Sequence, residues 1–367
     1  MATDAALADA AARWREVPAI ALDTEFVRER TFYARLGLVQ ICDGRATYLV
    51  DPLPLRSFEP LAATLADARV LKITHSASED VEVLWHATHA VPTPLFDTQI
   101  AAGLAGLAPG LGYQKLVRAV IGVELFKGET RTDWLRRPLS AAQLHYAVED
   151  VTCLLASFHV LRDRLVALGR FEWTLEDGAE LLDTERFTPR PLEAYRRFRG
   201  AARLKPRQLA ALRALAAWRD EQARRRDLPR SFVIKDDVLM AIASRLPADA
   251  GELEKIPGFD SRQAARDGAA LQAILEETAA LPESGLPEPP PAPPSTPEAR
   301  ALERGLREVA QKRATDLGIA PEVLVTRRPI EALVRSALEN GQPTLPTELE
   351  GWRREIVGEA LLERARR

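Results

Sequence analysis

The sequence predicts a mixed α/β sheet with helices on both faces, followed by all-helical modules. Three observations point there. Up to about residue 166, short apolar runs of strand length alternate with amphipathic stretches of helical period. Two of the runs, 35–43 and 47–51, meet at a turn around Asp43-Gly44 and read as an antiparallel hairpin, whereas the others are separated by helices and cross over to parallel positions. Beyond residue 200 only helical periodicity is left, interrupted by a proline-rich stretch.

Taken in order, residues 4–16 form an amphipathic helix with Leu7, Ala11 and Trp14 on one side. Pro18 introduces the strand Ile20-Ala-Leu-Asp23-Thr-Glu25-Phe26. A strand turns alternate side chains to one face, so Asp23 and Glu25 point the same way at the end of a buried run. Two such charges repel. A divalent cation between them relieves the repulsion, and hard oxygen ligands suit Mg²⁺ or Mn²⁺; a solvated strand end is the plainer alternative. After the hairpin and a helix over 59–67 comes the strand 70–74, and His75-Ser-Ala-Ser-Glu-Asp80 opens the next helix. Ser76 and Glu79 have capping-box spacing, which puts Asp80 in the first turn, at the carboxyl edge of the sheet where α/β folds collect ligands. Leu95-Phe-Asp97-Thr98-Gln99 reads as a strand and a further cap, with helix to about Leu107, and helix resumes over 113–120 after a glycine-rich break. A loop carrying Lys127, Arg131, Thr132, Asp133 and Trp134 ends at Pro138. Ser140 and Gln143 form a second capping box, so a helix runs from Ala141 to beyond Leu161. Tyr146 and Asp150 share one face of it, while Leu144, Val148, Val151, Leu154 and Leu155 supply apolar packing.

The 367-residue length is enough for two or three domains, and 46% apolar content supports packed modules. No run of 18 apolar residues and no basic-then-apolar N-terminus is present, which points away from membranes and towards the cytoplasm. Cys42 and Cys153 lie far apart in apolar patterns and read as buried free thiols. A net charge of -3 does not advertise a nucleic-acid binder. Arginines nevertheless cluster at 196, 197, 199, 203 and 207 and again at 224–226, as a solvated helix face or a phosphate-binding surface.

The ordered set Asp23-Thr-Glu25, His75-Ser-Ala-Ser-Glu-Asp80, Asp97-Thr-Gln, Arg131-Thr-Asp-Trp134 and Tyr146-Ala-Val-Glu-Asp150 resembles the ribonuclease D family, DEDD exonucleases with a tyrosine in the last motif. The resemblance covers at least residues 15–165 and implies a ribonuclease-H-like 3′-5′ exonuclease domain. It implies two divalent ions, Mg²⁺ or Mn²⁺, held by Asp23, Glu25, Asp80 and Asp150, with Asp23 bridging and Tyr146 orienting the attacking water. The implied substrate is RNA with a 3′ end, such as a tRNA precursor, released as nucleoside 5′-monophosphates. Phe26, His75, Lys127, Arg131 and Trp134 are candidate substrate contacts. A DNA exonuclease uses the same carboxylates, and a binding protein with an inert nuclease fold is a further alternative; the presence of all four carboxylates and the tyrosine speaks against the latter.

Residues 167–200 read as a charged connector and 201–281 resemble an HRDC domain, the small helical module shared by helicases and ribonuclease D. Residues 282–296 read as an extended proline-rich linker. Residues 297–367 resemble a second, degenerate HRDC-like domain, placed either to complete a ring or to rest against the nuclease. Two nucleic-acid modules in one chain favour a monomer.

Overall fold

A computed structural model describes residues 1–125, 132–288 and 296–367. The expected mixed sheet forms from β1 (Ala19–Val27), β2 (Arg35–Cys42), β3 (Thr47–Val50), β4 (Leu71–Thr74) and β5 (Leu95–Asp97). Their order is β3-β2-β1-β4-β5; the β1–β2 and β2–β3 pairs are antiparallel, and β1–β4 and β4–β5 are parallel. The central strand β1 is covered on both faces. Ile20 and Leu22 join a cluster with α1 (Asp4–Trp14), α2 (Glu59–Leu65) and α3 (Ser78–Thr88), whereas Ala21 joins Ile73, Phe96, Val151 and Phe158 on the other side. By alternation Asp23 and Glu25 share the face of Ala21, and Thr24 shares that of Leu22. The second face carries α4 (Thr98–Leu104), α5 (Tyr113–Ile121) and the 27-residue α6 (Ala141–Ala167).

The capping box expected at Ser140 and Gln143 is formed at the start of α6. The one expected at Ser76 and Glu79 is not: α3 starts at Ser78 behind Ala77, without a side-chain cap. The carboxylate of Asp97 instead accepts from the amides of Ser76 and Ala77 (3.2 and 2.8 Å) and also caps α4 through Gln99 and Ile100. A buried acceptor 20 residues away satisfies the orphan amides, leaving the local side chain no such role. On α6, Val151 and Leu154 are buried as expected, but Leu144 and Val148 are exposed because the inward stripe runs through Gln143, Ala147 and Asp150 instead.

The chain divides into two units, Met1–Val27, Arg35–Glu185 and Pro294–Arg367 in one, and Arg28–Ala34 with Arg186–Pro293 in the other. In the first, the stretch read as a connector holds α7 (Phe171–Glu180), whose Gly178 lies against the carbonyl of Leu95; a Cβ there would sit 2.5 Å from that oxygen. Helices α13 (Pro297–Leu317), α15 (Arg327–Asn340) and α16 (Glu359–Arg366) belong to the same hydrophobic cluster as α4 to α6, through Leu306, Ala314, Leu333 and Leu361. Of the two placements expected, resting against the nuclease is the arrangement found. Trp352 stacks on Trp173 at 4.3 Å, and Asp177 accepts from the Trp352 indole (2.8 Å) and from the Arg353 guanidinium (2.8 Å).

The second unit is built on α8 (Pro206–Arg226), α10 (Asp236–Arg245) and α12 (Ser261–Ala279), with Leu212, Leu215, Leu239, Ile242 and Leu271 in its core. Several clustered arginines have partners inside it. Buried Asp220 binds Arg224 at 2.9 Å and Arg230 at 2.5 Å, Asp267 binds Arg226 at 2.8 Å, and Arg207 caps the end of α12 through carbonyls of Thr278 and Ala279. The proline run 289–294 lies outside the described residues. Both cysteines are free thiols, Cys42 buried and Cys153 half-buried. Among the described residues no helix is long and apolar enough to cross a membrane.

Candidate metal centre and nuclease site

Asp23 follows directly on the stretch of β1 that pairs with β4 through Ala21 and Ile73, so it stands level with the carboxyl end of β4. Glu25 is opposite Leu38, immediately before a register shift that brings Phe26 opposite Leu36. The shift leaves Gly37 unpaired on β2. A Cβ there would meet the Trp134 carbonyl oxygen at 2.7 Å, so glycine allows the Trp134 loop to close over the strand. Arg137 fixes that loop with a bidentate bond to Asp51 (both 2.7 Å) and a bond to the Gly37 carbonyl (2.6 Å).

From α6, Asp150 projects towards the same face of β1. Oxygens of Asp23, Glu25 and Asp150 all lie within 4.8 Å of one another. Asp80 comes from the other direction, from the first turn of α3, and its carboxylate accepts from the hydroxyl of buried Thr24. It is close enough to Asp23 to be the strongest charge acting on it. One strand therefore gathers acidic groups from both of its faces.

These carboxylates pay for their proximity. Burial, with repulsion from Asp80, Glu25 and Asp150, raises the Asp23 pKa well above the ordinary range. Burial and its acidic neighbours push Glu25 up to about 8. Burial raises Asp80 to about 7 against the opposing Thr24 bond, and Asp150 to about 7 against the Tyr146 bond. An all-oxygen, recessed and mutually repelling set fits a divalent cation, which removes the repulsion and supplies the missing positive charge.

Tyr146, one turn before Asp150, bonds its carboxylate; burial and the same charges raise the phenol pKa, so it stays protonated. Trp134 lies behind it, ring centres 6.1 Å apart, packed with Leu38 and Ala147 and only 1% exposed. The candidate substrate contact Trp134 is thus a buried support for Tyr146, and an indole with 1% exposure has no face left for RNA. Phe26 is half-buried beyond the bulge. His75 lines a cavity of about 130 Å³ with Asp23, Tyr113, Tyr146, Asp150 and Leu154, and its Nδ1 lies 3.0 Å from the Thr98 hydroxyl. Lys127 and Arg131 lie outside the described residues.

Two site residues escaped sequence reasoning. Thr24 sits on the strand face opposite the carboxylates, and nothing local shows that α3 presents Asp80 there. Tyr113 opens α5 after a glycine, where an aromatic is indistinguishable from core; its hydroxyl donates to the Asp150 main-chain carbonyl.

Residues 1–166 match the family of 3′-5′ exonucleases and residues 208–275 the HRDC domain. A ribonuclease D of Pseudomonas paraeruginosa is 45% identical over 359 residues, covering 98% of this chain and 95% of that protein. A ribonuclease D of a Shewanella species is 39% identical, covering 98% and 92%. The chain also superposes on the crystal structure of Escherichia coli RNase D, described as an exoribonuclease involved in structured RNA processing. There the TM-score is 0.92 at 37% identity, with 99% of this chain and 97% of that one covered.

Proposed function

We propose that this chain, which belongs to the ribonuclease D family of 3′ to 5′ exoribonucleases, cuts the terminal phosphodiester of RNA at Asp23, Glu25, Asp80 and Asp150, with two Mg²⁺ or Mn²⁺ ions. The product is a nucleoside 5′-monophosphate. The convergence of the Asp23, Glu25 and Asp150 oxygens within 4.8 Å carries the reading. When bound, a pair of divalent ions supplies a water nucleophile at neutral pH and takes up charge on the departing 3′ oxygen.

The chain's own residues do the rest. Asp23, on which the charges of Asp80, Glu25 and Asp150 all act, would be shared by the ions, with Glu25 and Asp150 holding the one that activates water and Asp80 helping to hold the one that takes up leaving-group charge. The protonated Tyr146 hydroxyl orients the water and does not abstract its proton, since a phenol held above its ordinary pKa is a poor acceptor at neutral pH. His75 and Phe26 contact the terminal nucleotide. A cavity of about 130 Å³ lies beside the carboxylates.

The physiological substrates are structured RNAs such as tRNA precursors, processed at their 3′ ends in the cytoplasm by a monomer. The proposed domains are a nuclease over 1–166, an HRDC domain over 201–281 that grips RNA, and a degenerate HRDC-like module over 297–367. The part of 167–200 that follows α7 joins the first to the second, and 282–296 joins the second to the third. The test compares labelled single-stranded RNA and DNA with Mg²⁺ or Mn²⁺, using EDTA and Asp23→Asn as controls. RNA shortened from its 3′ end to monophosphates is the expected result. Faster digestion of DNA, or no cleavage at all, overturns the proposal.

A further inference from the structure

We propose that Tyr113 is a positioning residue whose hydroxyl holds the turn of α6 carrying Tyr146 and Asp150 in register with Asp23. This rests on the phosphodiester-hydrolysis reading of the site.

A helix as long as α6 is pressed on the sheet mainly through Val151, Leu154, Phe158, Leu161 and Leu165. Apolar contacts of this kind are non-directional and define the position of a single main-chain atom less sharply than a hydrogen bond does. A cluster of ligating oxygens tolerates such slack poorly. The Tyr113 hydroxyl supplies a directional restraint at the position that matters, because its acceptor is the main-chain carbonyl of Asp150 itself.

Tyr113 is anchored in turn. It stands at the first turn of α5, its ring lines the cavity beside Asp23 and Tyr146, and it lies 5.2 Å from the His75 ring. The chain just ahead of it is tied to α4, where the Gln99 amide donates to the Leu111 carbonyl at 3.3 Å. Gln99 lies two residues beyond Asp97, to which its main-chain N–H donates, and the Asp97 carboxylate also holds the turn leading to Asp80. A short relay of polar contacts thus joins the segments that deliver Asp80 and Asp150. The Tyr113 ring packs against the core beneath the sheet, while its hydroxyl bonds α6.

Tyr113→Phe removes one oxygen and keeps the ring. We would measure kcat and KM on a short single-stranded RNA, and Mn²⁺ binding to the full chain by calorimetry, beside Asp23→Asn. Loss of a group that orients a ligand costs about 10- to 100-fold in metal affinity or activity. The expected result is a kcat lower by about 10-fold or more, Mn²⁺ affinity weaker by about 10-fold and an unchanged KM. Parental kcat and Mn²⁺ affinity in Tyr113→Phe, with Asp23→Asn inactive, would overturn the proposal and spare the reading of the site. A rise in KM that accounts for the lost efficiency would place the hydroxyl on RNA and overturn it too. An active Asp23→Asn variant would overturn the reading itself.

Discussion

Thr24 donates its hydroxyl to the carboxylate of Asp80, 56 positions further along the chain. Threonine is β-branched and suits a buried strand, so the same residue completes β1 and orients an acidic group delivered by a helix on the opposite face from Asp23. Thr24→Val keeps the shape and removes the donor. We expect kcat to fall about 10- to 100-fold with the melting temperature nearly unchanged, read by steady-state assay and calorimetry. Parental kcat would show that Asp80 is oriented by something else.

The metal-free protein should grow less stable as pH rises. Glu25 is pushed up to about 8, and Asp80 and Asp150 to about 7, from ordinary values near 4. The folded state therefore holds protons that the unfolded chain has released, and stability present at pH 4 to 5 is lost as pH climbs through 7 to 8. In EDTA the melting temperature at pH 5.5 should exceed that at pH 8, and saturating Mg²⁺ or Mn²⁺ should narrow the gap, since the cation takes the place of the protons. A flat metal-free profile would contradict the raised pKa values.

Tyr146→Phe tests orientation against proton abstraction. Loss of an orienting group predicts a fall in kcat of about 100-fold with KM unchanged. Because burial raises the Tyr146 phenol above its ordinary value, the parent enzyme should show no alkaline limb from it between pH 7 and 9. A limb present in the parent and absent from Tyr146→Phe would assign it a proton-transfer role.

Asp177 answers both the Arg353 guanidinium and the Trp352 indole in a site about 10% exposed. Asp177→Ala removes the counter-charge of Arg353, whose remaining acceptors are the carbonyls of Val323 and Leu324, and leaves the indole donor unpaired, at a cost of about 3 kcal/mol. Thermal unfolding should shift down by several degrees, with activity below the transition retained. An unchanged midpoint would mean that Trp173 and Trp352 hold the contact by stacking alone.

Where neighbours in sequence determine the outcome, the sequence was legible. The two-residue period put Asp23 and Glu25 on one face, the Asp43-Gly44 turn set the hairpin, and Ser140 with Gln143 started α6. What could not be read depends on residues brought in from afar. Asp97 took the capping role from Ser76 across 21 positions, and Gly37 admitted the Trp134 loop, burying an aromatic expected near substrate. A charged stretch became α7 because Gly178 fits against β5. Leu144 and Val148 misled because an apolar residue costs little at the surface, and the inward stripe is set by what α6 packs on.

The hydrophobic cluster beneath β1, β4 and β5 draws side chains from Ala21 to Leu362. The strand bearing Asp23 packs on one face against α1 to α3 and on the other against a cluster completed by helices beyond residue 296. A nascent chain halted before residue 297 would lack Leu306, Leu333 and Leu361, and would expose the apolar faces of α4 to α6. The helices beyond residue 296 are therefore part of the floor beneath the nuclease sheet rather than an appendage to it.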